Sequence, residues 1–235
     1  MSNSYLDLLA YFGIGGAHPG GFPLTIEIFE KELIQPNHHV LDIGCGTGQT
    51  AAFLANHFGC KVTAIDINPI MIEKAKKRFE NDELDIKVIL GDIQDLSFED
   101  HSFDLIVSES VISFTDIDKT LSELSRVLKE DGSMMMIEMT AEQTLSEDLQ
   151  EKVSNLYGIN KILNEDEWIF HLQLKGFTKI DKLRIPSVLI PSDIDDMDMS
   201  DNISIDLYDL WEKHNQFIEQ NGHLIRYRVF KCHLT

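Results

Sequence analysis

The chain has 235 residues, 43% apolar and 26% charged, a composition that excludes a disordered or collagen-like polymer and supplies enough apolar material for a sizeable core. Its 40 Asp and Glu against 20 Lys and Arg leave a formal charge of −20, a field that repels a phosphate backbone and disfavours nucleic acid as the partner. The 3 cysteines are scattered, the first residues lack the basic and apolar stretches of a secretory leader, and no run approaches the ~18 apolar residues of a membrane span, so the expected setting is the reducing cytoplasm.

Residues 1–35 suggest one or two short helices joined by the glycine-rich run Gly13–Gly21. Strand and helix patterns then alternate. His39–Ile43 is a short apolar strand and Thr50–Phe58 a helix; Lys61–Ile65 is a second strand. Asn68 and Pro69 read as the N-cap and first position of a helix whose stripe is Ile72, Ala75 and Phe79. Ile86–Leu90 and Phe103–Val107 are further strands, Asp118–Leu128 a helix, and Ser133–Met139 a fifth strand, apolar on both faces as in the middle of a parallel sheet. Past Thr140 the pattern loosens: a helix over Asn164–Lys175 stopped by Gly176, a strand over Phe177–Ile185, and a last alternating strand over Leu224–Leu234. Between those two strands lies an insertion, Pro186–Gly222, with 7 Asp and no Lys or Arg from Asp193 to Asp209, read as a solvated loop, and a helix over Tyr208–Glu219. Repeated strand–helix–strand units imply an α/β fold with a parallel sheet and right-handed crossovers. His38 and His39 are adjacent, which is not metal-site spacing, and no metal is expected.

The strongest chemical signal is the run from Val40 to Thr50, a strand, a turn with Gly44, Gly46 and Gly48, and a helix start. Glycines let backbone approach a ligand closely, and a helix N-terminus offers free N–H groups. A dinucleotide site wants G-x-G-x-x-G, whereas Gln49 stands where the third glycine belongs, so an NAD enzyme is the lesser reading. Asp66, ending the second strand, is placed to accept hydrogen bonds from both ribose hydroxyls of an adenosine; Asp92, with Ile93, follows the third strand. All of these stand at carboxyl ends of consecutive strands, where open α/β sheets bind ligands.

With those residues assembled, the stretch from about Val40 to Glu138 resembles the class I S-adenosylmethionine-dependent methyltransferases. Asp42–Gly48 is similar to their first motif, and the helix–turn–strand ending at Glu138 to that of the ubiquinone/menaquinone-type branch, with Glu130-Asp131-Gly132 in place of Pro-Gly-Gly. The resemblance implies a Rossmann-like, doubly wound, mostly parallel seven-stranded sheet with helices on both faces, its last strand antiparallel, and a small cap. It implies S-adenosyl-L-methionine as cofactor and S-adenosyl-L-homocysteine as product, held by Asp42, Gly44, Gly46, Gly48, Asp66, Ile67, Asp92, Ile93 and Ser108. One domain over 1–235 is expected: a helical lid (1–35), a cofactor-binding core (36–140) and a C-terminal half (141–235) with the insertion 186–222.

The acceptor is less legible, because the donor is already activated and a base is needed only where the nucleophile must lose a proton. Nucleic-acid-base and glutamine methyltransferases carry an Asn-Pro-Pro-Tyr-like motif after the fourth strand; Ser108-Glu109-Ser110-Val111 stands there instead, which favours a small-molecule acceptor. His18 and Glu109 are the candidate catalytic residues, against the plainer readings of an exposed loop histidine and a solvated or capping carboxylate. Glu138 is weighed in the same way as Glu109. Tyr11, Phe12 and Phe22 are read as acceptor-pocket lining or plain packing. A non-catalytic adenosylmethionine-binding or regulatory protein is the alternative of another class.

Overall fold

The computed structural model describes residues 4–159, 161–183 and 196–234. Two short helices, α1 (Tyr5–Phe12) and α2 (Gly21–Phe29), open the chain. Then come β1 (His39–Ile43), α3 (Gln49–Phe58), β2 (Lys61–Asp66), α4 (Pro69–Asn81), β3 (Lys87–Leu90), β4 (Phe103–Glu109), a 3-10 turn at Ile112–Phe114 and α5 (Ile117–Val127). The remainder is β5 (Leu128–Ala141), α6 (Glu147–Tyr157), α7 (Glu165–Leu174), β6 (Lys179–Leu183), α8 (Ile205–Asn221) and β7 (Ile225–His233). The strands form one sheet of 7 in the order β3-β2-β1-β4-β5-β7-β6. Only β7 runs against its neighbours, pairing antiparallel with both β5 and β6, as the resemblance implied.

Alternation along each strand builds two cores, one on each face. Val40, Val62, Ala64, Val107 and Ile137 face a layer containing Leu54, Ile72, Ala75 and Phe79 of α3 and α4. Leu41, Ile65, Ile106, Met134 and Met136 face Leu121, Leu124, Trp168 and Leu172 of α5 and α7. Burial on both faces is why these strands are apolar almost throughout. The strand order reverses beside β1, with β2 on one side and β4 on the other, which makes the carboxyl end of β1 the topological switch point.

The expected caps are in place. Asn68 accepts from Ile70 N–H ahead of Pro69, and Asn164 forms a capping box with Glu167. Elsewhere the chain differs from its sequence pattern. α5 passes straight into β5 at Leu128, five residues before the expected strand start; Leu128 pairs with Phe103 and Ser133 with Leu105, so Glu130-Asp131-Gly132 is a bulge within the ladder. α6, capped by Ser146 and ended by Gly158, was not anticipated. α8 starts three residues earlier than expected, at Ile205. Expectations for Arg184 and Ile185, and for residues 186–195 of the insertion, fall outside the described residues. Among the described residues no helix is long and apolar enough to cross a membrane, and no metal-ligating cluster is present.

Candidate functional site

A cavity of about 1390 Å³ opens over the carboxyl ends of β1, β2 and β4. Pockets for one drug-sized ligand run to about 300–1,000 Å³, so this one has room for two. The glycine turn forms its floor, and the three glycines there have different reasons. A side chain on Gly44 would strike Val111, and one on Gly48 would strike Phe79, so both keep packed elements close. Gly46 has φ +53° and nothing within 4 Å of where a Cβ would sit, which leaves open space on the cavity side.

Asp66 ties this turn together. Its Oδ2 accepts from Gly46 N–H at 2.9 Å and its Oδ1 from Asn68 N–H at 2.8 Å, while the residue is 8% exposed. Burial raises its pKa, and those backbone donors oppose the rise. The neighbouring Ile67 is exposed and lines the cavity, as do Asp92 and Ile93. Asp92 accepts from the backbone and side-chain N–H groups of Gln94, a turn-capping geometry, with the residue still on the cavity wall. Asp42 is buried beneath the turn, hydrogen-bonded by Ala51 N–H, with its Oδ2 unpartnered. Burial first, then the charges of Glu109 and Asp66, hold its carboxyl well above the usual range. Ser108 is fully buried inside β4 and is not on the wall; Glu109 and Ser110 are.

The structure brings His18 and Glu109 together. Thr25 Oγ1 donates to Glu109 Oε1 at 2.6 Å and lies 3.0 Å from His18 Nε2; Thr50 Oγ1 donates to Glu109 Oε2 at 2.7 Å. His18 is 5% exposed and so is no free loop residue; its Nε2 is 3.6 Å from Glu109. Neither does Glu109 fit the solvated reading, with 12% of its side chain exposed. Since the Thr25 proton points to Glu109, Nε2 faces a lone pair, while Nδ1 faces the Pro19 carbonyl at 3.2 Å. Glu138 has a different place: fully buried, it accepts from Val111 and Ile112 N–H and from Ser113 Oγ, anchoring the turn after β4.

The N-terminal segment covers the cavity, held there by the insertion. Ile14 bridges Met197, Gly15 N–H donates to Asp196 O, Asp198 N–H to Gly13 O, and Ser200 N–H to Tyr11 O. A Cβ on Gly13 would lie 2.1 Å from the backbone oxygen of Asp198, so glycine is needed for that approach. Below, Arg78 of α4 pairs with Asp196 and donates to Thr47 O, and Lys74 and Lys77 reach Asp198. The reading of the acidic insertion as a solvated loop is therefore corrected at Asp196 and Asp198: a cationic face of α4 lies under them.

Sequence reasoning missed the far end of the cavity. It is aromatic, built by Tyr5 of α1, Phe114, Tyr157 of α6, and Trp211 and His214 of α8. Tyr5 meets Tyr157 edge-on at 4.8 Å between centroids, Trp211 stacks on His214 at 5.7 Å, and Tyr157 Oη lies 3.0 Å from His214 Nδ1. Burial lowers the His214 pKa to about 4, so the ring is neutral near pH 7. On α8, Trp211, His214, Asn215 and Ile218 recur at the spacing of one helical face, a signal the sequence did carry. Of the three aromatics singled out, Phe22 is on the wall and packs on Phe53, whereas Tyr11 and Phe12 pack in the small cluster under α1 and α8.

Residues 40–132 match the family described as a methyltransferase domain, with no branch specified. An uncharacterized methyltransferase of Bacillus subtilis, YodH, is 37% identical over 230 residues, 94% of this chain and 97% of that protein. Among solved structures, phosphoethanolamine N-methyltransferase 2 of Haemonchus contortus, in complex with phosphomonomethylethanolamine and S-adenosylhomocysteine, superposes with a TM-score of 0.74 at 23% identity. That match takes in 97% of this chain and 56% of the other. A putative sarcosine dimethylglycine methyltransferase of Galdieria sulphuraria gives 0.73 at 19% identity over 90% of this chain and 84% of its own.

Proposed function

Because the chain belongs to the class I S-adenosylmethionine-dependent methyltransferases, we propose that its cavity seats the cofactor over the glycine turn and a small-molecule acceptor toward the aromatic end. The observation that carries this reading is the open face of Gly46, whose N–H is already fixed by the carboxylate of Asp66. A carboxylate oxygen has two lone-pair sites, so Asp66 can organise the turn and still accept from two ribose hydroxyls. Ile67 and Ile93 offer apolar surface for an adenine, with Asp92 beside them, and the backbone of Gly44–Gly46 faces the rest of the cofactor. Asp42 positions that backbone from below. When bound, the cofactor supplies a methyl group activated by its sulfonium. What remains for the protein is alignment, exclusion of water and, where the acceptor carries a proton, a place for it. The Glu109–Thr25–His18 cluster is that place: Glu109 and His18 stand on the cavity wall, the buried Thr25 bridges them, and the cluster is able to take one proton by shifting it along the chain. The covering segment, residues 11–24, excludes water.

Calorimetric titration tests the seat. S-adenosylmethionine and S-adenosylhomocysteine are expected to bind in the micromolar range and NAD to leave no heat. A mixed-metabolite reaction is expected to release S-adenosylhomocysteine with one metabolite gaining a methyl group. Tight NAD binding without adenosylmethionine binding overturns the seat, and cofactor binding without turnover favours a regulatory binder.

A further inference from the structure

Among the described residues, every Lys, Arg, Asp or Glu on the cavity wall is an Asp or a Glu; there is no lysine or arginine. Arg78, which comes near, is spent on Asp196 and on the Thr47 carbonyl. His18 faces Glu109, so a charge on it is matched there, and His214 at the aromatic end is neutral. Among the described residues, a phosphate, diphosphate or carboxylate group on an acceptor therefore meets no cationic side chain. An anion buried beside carboxylates loses its hydration and gains only repulsion.

The same wall is suited to the opposite charge. Tyr5, Phe114, Tyr157 and Trp211 put aromatic surface at one end, with Glu219 one helical step beyond Asn215 on α8 and Glu109 on the β4 side. Tyr5 is half-buried, and it too lines the cavity. Aromatic faces attract organic cations through the negative potential over the ring, more strongly when water is excluded. Apart from Phe114, these rings lie outside residues 40–132, on α1, α6 and α8. The acceptor end is thus contributed by the parts of the chain that the family match does not cover.

Resting on the reading of this cavity as the methyl-transfer site, we infer that the acceptor carries an organic cation, an ammonium group with no phosphate or carboxylate in the same molecule, held at the aromatic end by Tyr5, Tyr157 and Trp211, while a separate atom of the acceptor keeps the lone pair that takes the methyl group and gives up any proton it carries to the Glu109–Thr25–His18 cluster. The test uses the full chain saturated with S-adenosylhomocysteine and three probes of one shape. These are choline, its neutral carbon isostere 3,3-dimethylbutan-1-ol, and the anion 3,3-dimethylbutanoate, each titrated calorimetrically. Choline is expected to bind at least ~10-fold more tightly than the alcohol, a difference of about 1.4 kcal/mol, with no binding of the anion. Trp211→Leu is expected to bring choline down to the level of the alcohol while S-adenosylhomocysteine binds as before, which shows that the variant is folded. Equal binding of choline and the alcohol, binding of the anion at least as tight as choline, or no choline binding at millimolar concentration overturns the inference. Failure of S-adenosylhomocysteine to bind in the first titration overturns the underlying reading instead.

Discussion

At single residues, the chemistry of the site is a matter of carboxylates in different company. Asp66 spends one lone pair of each oxygen on backbone donors, so it acts on the fold and on a ligand at once. Asp66→Ala is expected to weaken S-adenosylmethionine at least ~10-fold by calorimetry. It is also expected to loosen the glycine turn, seen as faster exchange of the Gly46 and Asn68 amides. Unchanged affinity in a folded variant removes Asp66 from the site. Glu109 is tested by Glu109→Gln, which leaves the shape but takes no proton. A kcat loss of about 10²–10⁴-fold with unchanged S-adenosylhomocysteine affinity is expected for an acceptor that must lose a proton. An unaltered kcat makes the Glu109–Thr25–His18 cluster a structural clasp. Glu138 answers to pH. Burial lifts its pKa from 4.5 to about 7, so the folded protein holds that proton more tightly than the unfolded chain does. Its contribution is complete at low pH and is lost as pH rises from about 4.5 through 7, on the order of 3 kcal/mol in all. Urea unfolding at about pH 5 and about pH 8 should show wild type losing more stability than Glu138→Gln over that interval. Parallel losses in the two proteins contradict the assignment. Of these residues, Asp66 was readable because a strand end and a glycine turn are local signals. The bridging Thr25 and Thr50 were not, since a threonine on a helix announces nothing until a carboxylate from another strand arrives beside it.

Among elements, the clasp between the N-terminal segment and the insertion is the one that bears on turnover. Its strands are single backbone bridges, and what fixes them is the cationic side of α4 acting on Asp196 and Asp198. Arg78→Ala is expected to speed amide exchange in residues 13–18 and 196–200 together, because each segment is the other's partner; acceleration in only one of them shows that the two are not coupled. A chain lacking residues 1–22 should retain the sheet and lose most turnover, as the covered wall, His18 and Tyr5 go with it. Normal methylation by that truncated chain removes the lid role. Legibility at this scale followed pattern strength. Asn68-Pro69 and Asn164 marked helix starts that were found where expected. α6 carries its own marks, Ser146 before Leu149, Val153 and Tyr157, then Gly158, but with Leu156 the only further apolar residue the stripe is thin. The pairing of the insertion was not legible because the attraction comes from Arg78 and Lys77, more than a hundred residues away along the chain.

For the whole molecule, cofactor binding and folding are linked, since only the folded chain assembles strand ends from β1, β2 and β4 around one cavity. At a ligand concentration ~100 times Kd, stabilisation of about 2.7 kcal/mol is expected, visible as a higher Tm with S-adenosylhomocysteine and none with NAD. A Tm that does not move with S-adenosylhomocysteine rejects the seat. The overall architecture was the most legible feature, because alternating apolar strands and striped helices repeat a single unit, and one glycine turn fixes which end of the sheet is functional. The acceptor end was hidden for the converse reason: its rings come singly from α1, α6 and α8, and no one segment carries a motif. The place of β7 has a consequence for solubility. It is an interior strand, paired antiparallel with β5 on one side and with β6 on the other. Without it, Met134, Met135, Met136 and Ile137 would sit on a sheet margin with one side of their backbone unpaired, a template for joining another chain. A chain cut before residue 225 should therefore be insoluble, whereas one that keeps β7 seals its own most adhesive strand.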